Sequence, residues 1–380
     1  MAKSRSDCPL FKHRNGQWCK KVRGRLRYFG TDLDEALKRW ASEKDHLLAG
    51  LDPPRTDRNP SIAELANLFM DATRKRVAAG DVRPDLPRHN ERVIRRVIGT
   101  LGPSARLSSL TPAAWQRVRT DLASADLSRG RTEPRAATTV ALDLARLRGF
   151  LAWCQEQKLI GDLDTGGALK PPPKRIIRRA KAAGGPRLWK PEELRAVIDA
   201  AGPLFRPVVL LAINAAMGTA DIGRLRRSDY TSTTEFLHQP RYKTGVDRRV
   251  WLWPETRQAI DVAVRRRPDP QRKRYADRLL LTVRGLPWWR TEGETVLELT
   301  GSSFRTAASR AGVSGRSLYD GRRTFRTIAS EVCDLEATDL VMGHEGRGAG
   351  HTYLQGVSDE RIRAVCAHVR SWLFGPDEKT

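Results

Sequence analysis

The sequence predicts a mainly α-helical, multidomain chain with small β-sheets. Three observations carry this. The 380 residues suffice for two or three domains of about 100–200 residues each. Apolar residues recur at spacings of three and four through most of the chain, while hairpin signals are confined to two places. A Pro/Gly-rich stretch, 161–188, carries no acid from Lys170 onward and divides the chain. The expected units are 1–50, 60–160 and 189–376, with 161–188 as a linker.

Residues 8–30 read as a β-meander. Asn15-Gly16 supplies one hairpin turn and Arg23-Gly24 a second, with strands at 17–22 and 25–29. Thr31 opens a helix with Ala36, Leu37, Trp40, Leu47 and Leu48 as its apolar side. Pro53, Pro54 and Pro60 mark a linker. Ser61 and Glu64 make a capping box ahead of Leu65, Leu68 and Phe69. A helix follows at 87–99, carrying Val93, Ile94, Val97 and Ile98. Thr111-Pro112 starts another, with proline in its first turn. Val140, Leu144, Leu147, Leu151 and Cys154 recur at four, three, four and three, which gives a fourth helix to this unit.

Pro171-Pro172-Pro173 followed by basic residues suits a strap, stiff and then flexible, between two domains. Beyond it, Glu192 and Glu193 complement the dipole of a helix starting at Pro191. Residues 208–216 form a short, strongly apolar core helix, and 221–225 begin another. Strands at 236–241 and 248–252 pair across Lys243-Thr244-Gly245. Helices are expected from Pro254, Ser302, Arg322 and Ala337, and over 359–374.

The formal net charge of +25 calls for a polyanionic partner, nucleic acid before an anionic membrane surface. No run approaches the roughly 18 apolar residues of a membrane span. The first residues carry charge but no apolar stretch, so they do not read as a secretory signal. Five scattered cysteines form no CxxC pair, which argues against structural zinc and fits a reducing cytoplasm. Candidate phosphate contacts are Lys20 and Arg25 on the meander and Arg95 and Arg96 on the 87–99 helix. Lys174, Arg175, Arg178 and Arg179 in the strap, and Arg323, complete the set. Each of these runs also fits a solvated face.

Near the end stand Met342-Gly343-His344 and, nine residues after the histidine, Tyr353. Upstream lie Tyr319-Asp320-Gly321-Arg322-Arg323-Thr324-Phe325 and Lys243-Thr244-Gly245. Cleaving a phosphodiester without a metal needs a nucleophile, cations for the phosphorane and a proton donor for the leaving oxygen. Tyr353 can be the nucleophile and Arg322 a bidentate fork on the non-bridging oxygens. His344 can donate to the same phosphate or move the tyrosine proton, and Lys243 can protonate the leaving 5′ oxygen.

These residues carry a resemblance. The segment from Trp189 to Phe374 resembles the catalytic domain of tyrosine recombinases, the phage-integrase family. Lys243 matches that family's hairpin lysine, Tyr319 to Arg322 its His-x-x-Arg, Met342-Gly343-His344 its Leu-Gly-His, and Tyr353 its nucleophile. The resemblance implies a mixed α/β catalytic domain, a SAM-like helical core-binding domain at 60–160, and an arm-binding-like module at 1–50. It implies site-specific recombination or integration through a 3′-phosphotyrosine, with no cofactor and no metal. The implied partner is double-stranded DNA, bound as a homo-tetramer, with a monomer or weak oligomer when free and no membrane. The implied setting is the cytoplasm, at the nucleoid. Residues 359–374 read either as an inter-subunit contact or as intramolecular packing.

The chain departs from the family pattern twice. The first catalytic arginine should precede Asp221 by three residues, where Gly218 stands, and a two-residue shift gives Ala220. Arg224, Arg226 and Arg206 are the candidates to send a guanidinium there from elsewhere. Tyr319 occupies the usual histidine position and keeps a hydrogen-bond donor. A sequence-specific DNA binder on the same fold is the main alternative to an enzyme. A type IB topoisomerase shares the chemistry, and a general RNA binder lacks any RNP-type motif here.

Overall fold

The computed structural model describes residues 8–14, 16–50, 59–125, 130, 132–345 and 356–376. The N-terminal meander forms an antiparallel sheet in the order β1 (Phe11–Lys12), β2 (Trp18–Val22) and β3 (Arg25–Gly30). Asn15 lies outside the described residues, while Gly16 and Gly24 both take the positive φ that these turns need. Helix α1 (Leu33–Ala49) packs on the sheet, and Leu10, Val22, Phe29, Ala36, Trp40 and Leu47 form a small core. Leu48, expected on the buried side, is 59% exposed. Leu47 takes the core position, and its neighbour is turned about 100° away by the helical repeat.

The second unit is built from α2 (Ile62–Ala78), α3 (Leu86–Leu101), α4 (Pro112–Ala123) and α5 (Ala137–Glu156). The Ser61–Glu64 capping box forms, and Thr111 caps α4 ahead of Pro112. Val140, Leu144, Leu147, Leu151 and Cys154 of α5 are all buried, as their spacing requires. Leu68 instead faces outward at 48% exposure. At the domain centre Asp143 is fully buried and accepts from Arg92 at 3.0 Å, from Arg146 at 3.1 Å and from Arg135. This arrangement offsets the cost of burying a carboxylate.

Two features of the 161–188 segment differ from the expectation. Ala168 and Leu169 are buried in the helical domain's core, and Arg119 ties the backbone there at Ala168 O (2.6 Å) and Lys170 O (2.5 Å). Lys174 to Ala182 then form a helix, α6, with no buried residue, instead of a flexible tether. Lysine, arginine and alanine are strong helix formers, and Pro173 stands at the N-cap, where its missing N–H costs no helical bond, so local propensity prevails.

The C-terminal unit wraps around α8 (Arg206–Asn214), buried from Pro207 to Asn214. Around it lie α7 (Pro191–Ala200), α10 (Pro254–Arg265), α11 (Thr300–Arg310), α12 (Leu318–Ala329) and α14 (Asp359–Phe374). The short helices α9 (Thr219–Arg224) and α13 (Leu335–Met342) flank the site described below. Strands β4 (Phe236–His238) and β5 (Arg249–Trp251) pair antiparallel across the Lys243 turn, as expected. A second hairpin, β6 (Trp289–Glu292) with β7 (Thr295–Glu298), was not anticipated. Helix α14 packs inside its own subunit. Ile362, Val365, Cys366, Val369 and Leu373 are buried, Arg249 holds Asp359 through two 2.7 Å bonds, and Trp253 donates to Cys366 O at 2.8 Å. The intramolecular reading of 359–374 therefore holds for its apolar face.

Candidate functional site

Two close approaches build the site. Gly321 lets α12 lie against α8, since a Cβ there would stand 3.2 Å from Ala212 O. The next residue, Arg322, is thereby carried beneath the end of α8. Asn214, at the last turn of α8, donates to Trp251 O at 3.0 Å and accepts from Trp253 N at 2.9 Å. Both functions of its amide are satisfied, and strand β5 is fixed to the same helix end.

Arg322 is buried at 4% exposure. It donates to Ala216 O, to Met342 O at 2.8 Å and to His344 Nε2 at 2.7 Å. Burial pushes its pKa down to about 10, helped by the positive charges of Arg241 and Arg248, so it stays protonated at neutral pH. Arginine can only donate, so His344 Nε2 must accept. The imidazole proton then sits on Nδ1, which faces Asp339 Oδ1 at 3.3 Å. Burial, and next the Arg322 charge, lower the pKa of His344. Geometry and electrostatics thus agree on a neutral ring. Asp339 also accepts from Arg326 at 3.0 Å, so α12 both carries Arg322 and orients the histidine.

The hairpin tip is clamped over this pair. Asp221 Oδ1 accepts from Tyr242 N at 3.0 Å. Its Oδ2 accepts from Gly218 N at 3.3 Å and from Arg248 Nη2 at 3.0 Å. Thr244 Oγ1 reaches Gly343 O at 3.5 Å and Arg241 Nη1 reaches it at 3.4 Å, both long contacts. Lys243 lies between these two anchor points and is exposed. It lines a cleft of about 350 Å³ with Ala220, Tyr242, Trp289, Val296 and residues 80–85 of the helical domain. Behind it the Arg224 guanidinium stacks on Tyr242 at 4.0 Å, and Tyr242 meets Trp289 edge-on at 5.4 Å. Gly223 permits this, because a Cβ there would stand 2.5 Å from Trp289 N. An exposed Arg74–Glu294 pair at 2.6 Å links α2 to the β6–β7 turn.

No family model and no curated protein matches the chain. Solved structures do. A lambda integrase tetramer bound to a Holliday junction superposes with TM-score 0.53 at 15% identity, covering 90% of this chain and 96% of that one. A lambda integrase dimer bound to a COC′ core site gives 0.53 at 14%, covering 94% and 100%. The Tn1549 transposon integrase in complex with transposon right-end DNA gives 0.55 at 13%, covering 80% and 98%. At such identity the likeness is one of fold. The chain has the tyrosine-recombinase fold.

Within the tyrosine-recombinase fold, Arg322 and His344 are in direct contact, and Lys243 sits on the hairpin docked against their loop. Tyr319 lies one turn before Arg322 on α12 at 52% exposure, with the Arg323 guanidinium 5.3 Å over its ring. Tyr353 lies outside the described residues. Two of the three arginines considered for the vacant position are elsewhere. Arg206 donates to Ile198 O and Asp199 O, both at 3.0 Å, and Arg226 faces Asp277 at 3.8 Å on the surface. The third, Arg224, is engaged in the aromatic stack.

The expected phosphate contacts divide similarly. Arg25, Arg95, Lys174, Arg175, Arg178 and Arg179 are exposed, although Arg95 also pairs with Glu91 at 2.6 Å. Lys20 lies over the Trp40 ring at 4.5 Å. Arg96 ties α3 to Asp121 at 2.9 Å and to Ser124 at 3.1 Å within its own domain, and Arg323 donates to Asp320 at 2.8 Å.

Sequence reasoning missed Arg241, Arg248 and Asp339. One signal for Arg248 was available. It shares the period-two phase of Val250 and Leu252, and all three are fully buried. No comparable pattern marks Asp339. Among the described residues no group of His, Cys, Asp and Glu is placed to hold a metal ion, and no helix is long and apolar enough to cross a membrane.

Proposed function

We propose that this chain is a site-specific DNA recombinase, cutting and rejoining strands through a 3′-phosphotyrosine. The observation that carries the reading is the part-buried Arg322–His344 contact at 2.7 Å, with the Lys243 hairpin anchored beside it, in a fold shared with DNA-bound integrases. Tyr353 Oη attacks phosphorus and the bond to the 5′ oxygen breaks. The tyrosine proton passes to neutral His344, whose Nε2 lone pair is released as Arg322, which donates to it at 2.7 Å, turns to the phosphate. Lys243 gives a proton to the leaving oxygen. Arg322 holds the non-bridging oxygens, and the Tyr319 hydroxyl donates where the family pattern has histidine. A 5′ hydroxyl from a partner strand reverses these steps, and the phosphotyrosyl bond conserves the energy. The partner is double-stranded DNA, engaged as a homo-tetramer in the nucleoid.

Gly218 supports a second reading, a sequence-specific binder without turnover, because residue 218 adds no cation. Nicked suicide duplexes containing a site selected from a random library separate the two. The recombinase reading expects a covalent protein–DNA adduct that Tyr353→Phe does not form. Tight, specific binding with no adduct would leave the binder reading standing instead.

A further inference from the structure

The position vacant at residue 218 lies beside an unexplained concentration of positive charge. Three guanidiniums converge on the Met342-Gly343-His344 turn. Arg322 donates to Met342 O and to His344. Arg241 runs across Gly343, whose Cβ, if present, would stand 2.8 Å from Arg241 Cβ and 3.2 Å from its Cδ. That same position lies 3.4 Å from Arg248 Nε. Gly343 has φ 58°, so glycine serves both the backbone and the passage of the Arg241 chain.

Against this cluster stands the carboxylate of Asp221. Asp339 is engaged with Arg326 and His344, and Asp320 with Arg323. Arg248 is fully buried, yet only its Nη2 has a partner. Its Nε and Nη1 find none among the described residues. Buried donors without acceptors are costly, so the cluster as it stands is short of an anion. Arg241 differs from Arg248 in being half-buried, and its Nη1 reaches Gly343 O only at a long 3.4 Å.

We propose that Arg241, delivered by the β4–β5 hairpin, replaces the guanidinium absent at residue 218 and contacts the scissile phosphate beside Arg322. Arg248 is the positioning residue beneath it. Its bond to Asp221 holds the carboxylate that also anchors Tyr242 N, the residue after Arg241. The fold thereby supplies a second cation from a strand instead of a helix start. Burial lowers the pKa of Arg322, His344 and Arg248, and the Arg241 charge adds to the lowering of each. The catalytic part of this inference rests on the strand-transfer reading above.

Gly218 offers an independent control. Its φ of −81° suits any residue, and a Cβ there would meet only Asp221 Oδ2, at an ordinary 3.7 Å. The backbone and the first side-chain carbon therefore admit Gly218→Arg. Single-turnover cleavage of the suicide duplex is expected to fall about 10²–10³-fold in Arg241→Ala, the usual cost of one transition-state donor. Duplex affinity should change less than about 10-fold. Adding Gly218→Arg to Arg241→Ala should recover at least about 10-fold in rate, which a purely structural role of Arg241 would not permit. Cleavage by Arg241→Ala within about threefold of the parent, or no recovery in the double variant, would overturn the proposal.

A second readout does not depend on turnover. Crystals soaked in tungstate should hold an oxyanion bridging Arg322 and Arg241, located by its anomalous signal. An oxyanion on Arg322 with Arg241 turned away, or none at Arg322, would overturn the assignment. A bridging oxyanion in a protein that forms no adduct would uphold the two-guanidinium site and discard the recombinase reading alone.

Discussion

Removing the Asp221 carboxylate should unseat the Lys243 hairpin and destabilise the C-terminal domain together. Asp221→Ala deletes the acceptor of three donors: Gly218 N, Tyr242 N and the Arg248 guanidinium. The Arg248 side chain is 0% exposed and that of Asp221 7%, so solvent cannot replace the lost partner. Stripping one member from a buried pair costs about 3–5 kcal/mol, because the other charge is left uncompensated. Arg248 already titrates below the usual arginine range. Burial, together with the Arg241 charge, lowers its pKa more than Asp221 raises it, so the pair itself adds little net stability. Asp221→Ala combined with Arg248→Met should therefore recover most of the loss. The assay is calorimetric unfolding of the full chain, with amide exchange at Tyr242 as the local reporter. Exchange there should accelerate in Asp221→Ala and remain fast in the double variant, while the C-terminal transition returns toward the parent. A loss below about 1 kcal/mol in the single variant, or a double variant less stable than it, would refute the reasoning.

Four further expectations follow from the same geometry. Lys243→Ala should slow cleavage more than it weakens duplex binding, as measured by single-turnover rates against Kd; equal losses would refute the proposal that it is the acid. Gly223→Ala should lower stability by about 1–3 kcal/mol through overpacking; the new Cβ would fall 2.5 Å from Trp289 N, and an unchanged unfolding temperature would show that β6 yields freely. The pKa of His344 is lowered in the fold, so its contribution to stability is complete above about 6.5 and declines as pH falls below it. His344→Gln should flatten that acid limb without abolishing it, since the pKa of His89 is lowered in the same direction; an identical limb in the variant would contradict the sign. Neutralising Lys174, Arg175, Arg178 and Arg179 should reduce the logarithmic salt dependence of binding by up to about 3–4, and an unchanged slope would remove α6 from the interface.

What the sequence disclosed depended on whether the signal was local. Helical period, capping residues and proline positions are local, and α2, α4, α5 and α8 form where these signals place them. The β6–β7 hairpin was overlooked because its strands are held by tertiary contacts, including the approach of Trp289 to Gly223. The strap is helical because the helix propensity of lysine, arginine and alanine outweighs the flanking prolines and glycines. The Arg322–His344 contact was legible from motif spacing. The positions of Arg241 and Arg248 were not. They enter the site through a hairpin whose docking depends on Asp221 and Asn214, distant in the chain from the motif residues.

The covalent step is the most direct test of the proposed strand transfer. Trapped complexes should be digested with protease and the DNA-linked peptide sequenced by mass spectrometry, with the DNA ends analysed in parallel. The expected product is a 3′-phosphoryl link to Tyr353 and a free 5′ hydroxyl. A link to any other residue, or a 5′-phosphoryl bond, would contradict the roles proposed for Tyr353, His344, Lys243 and Arg322.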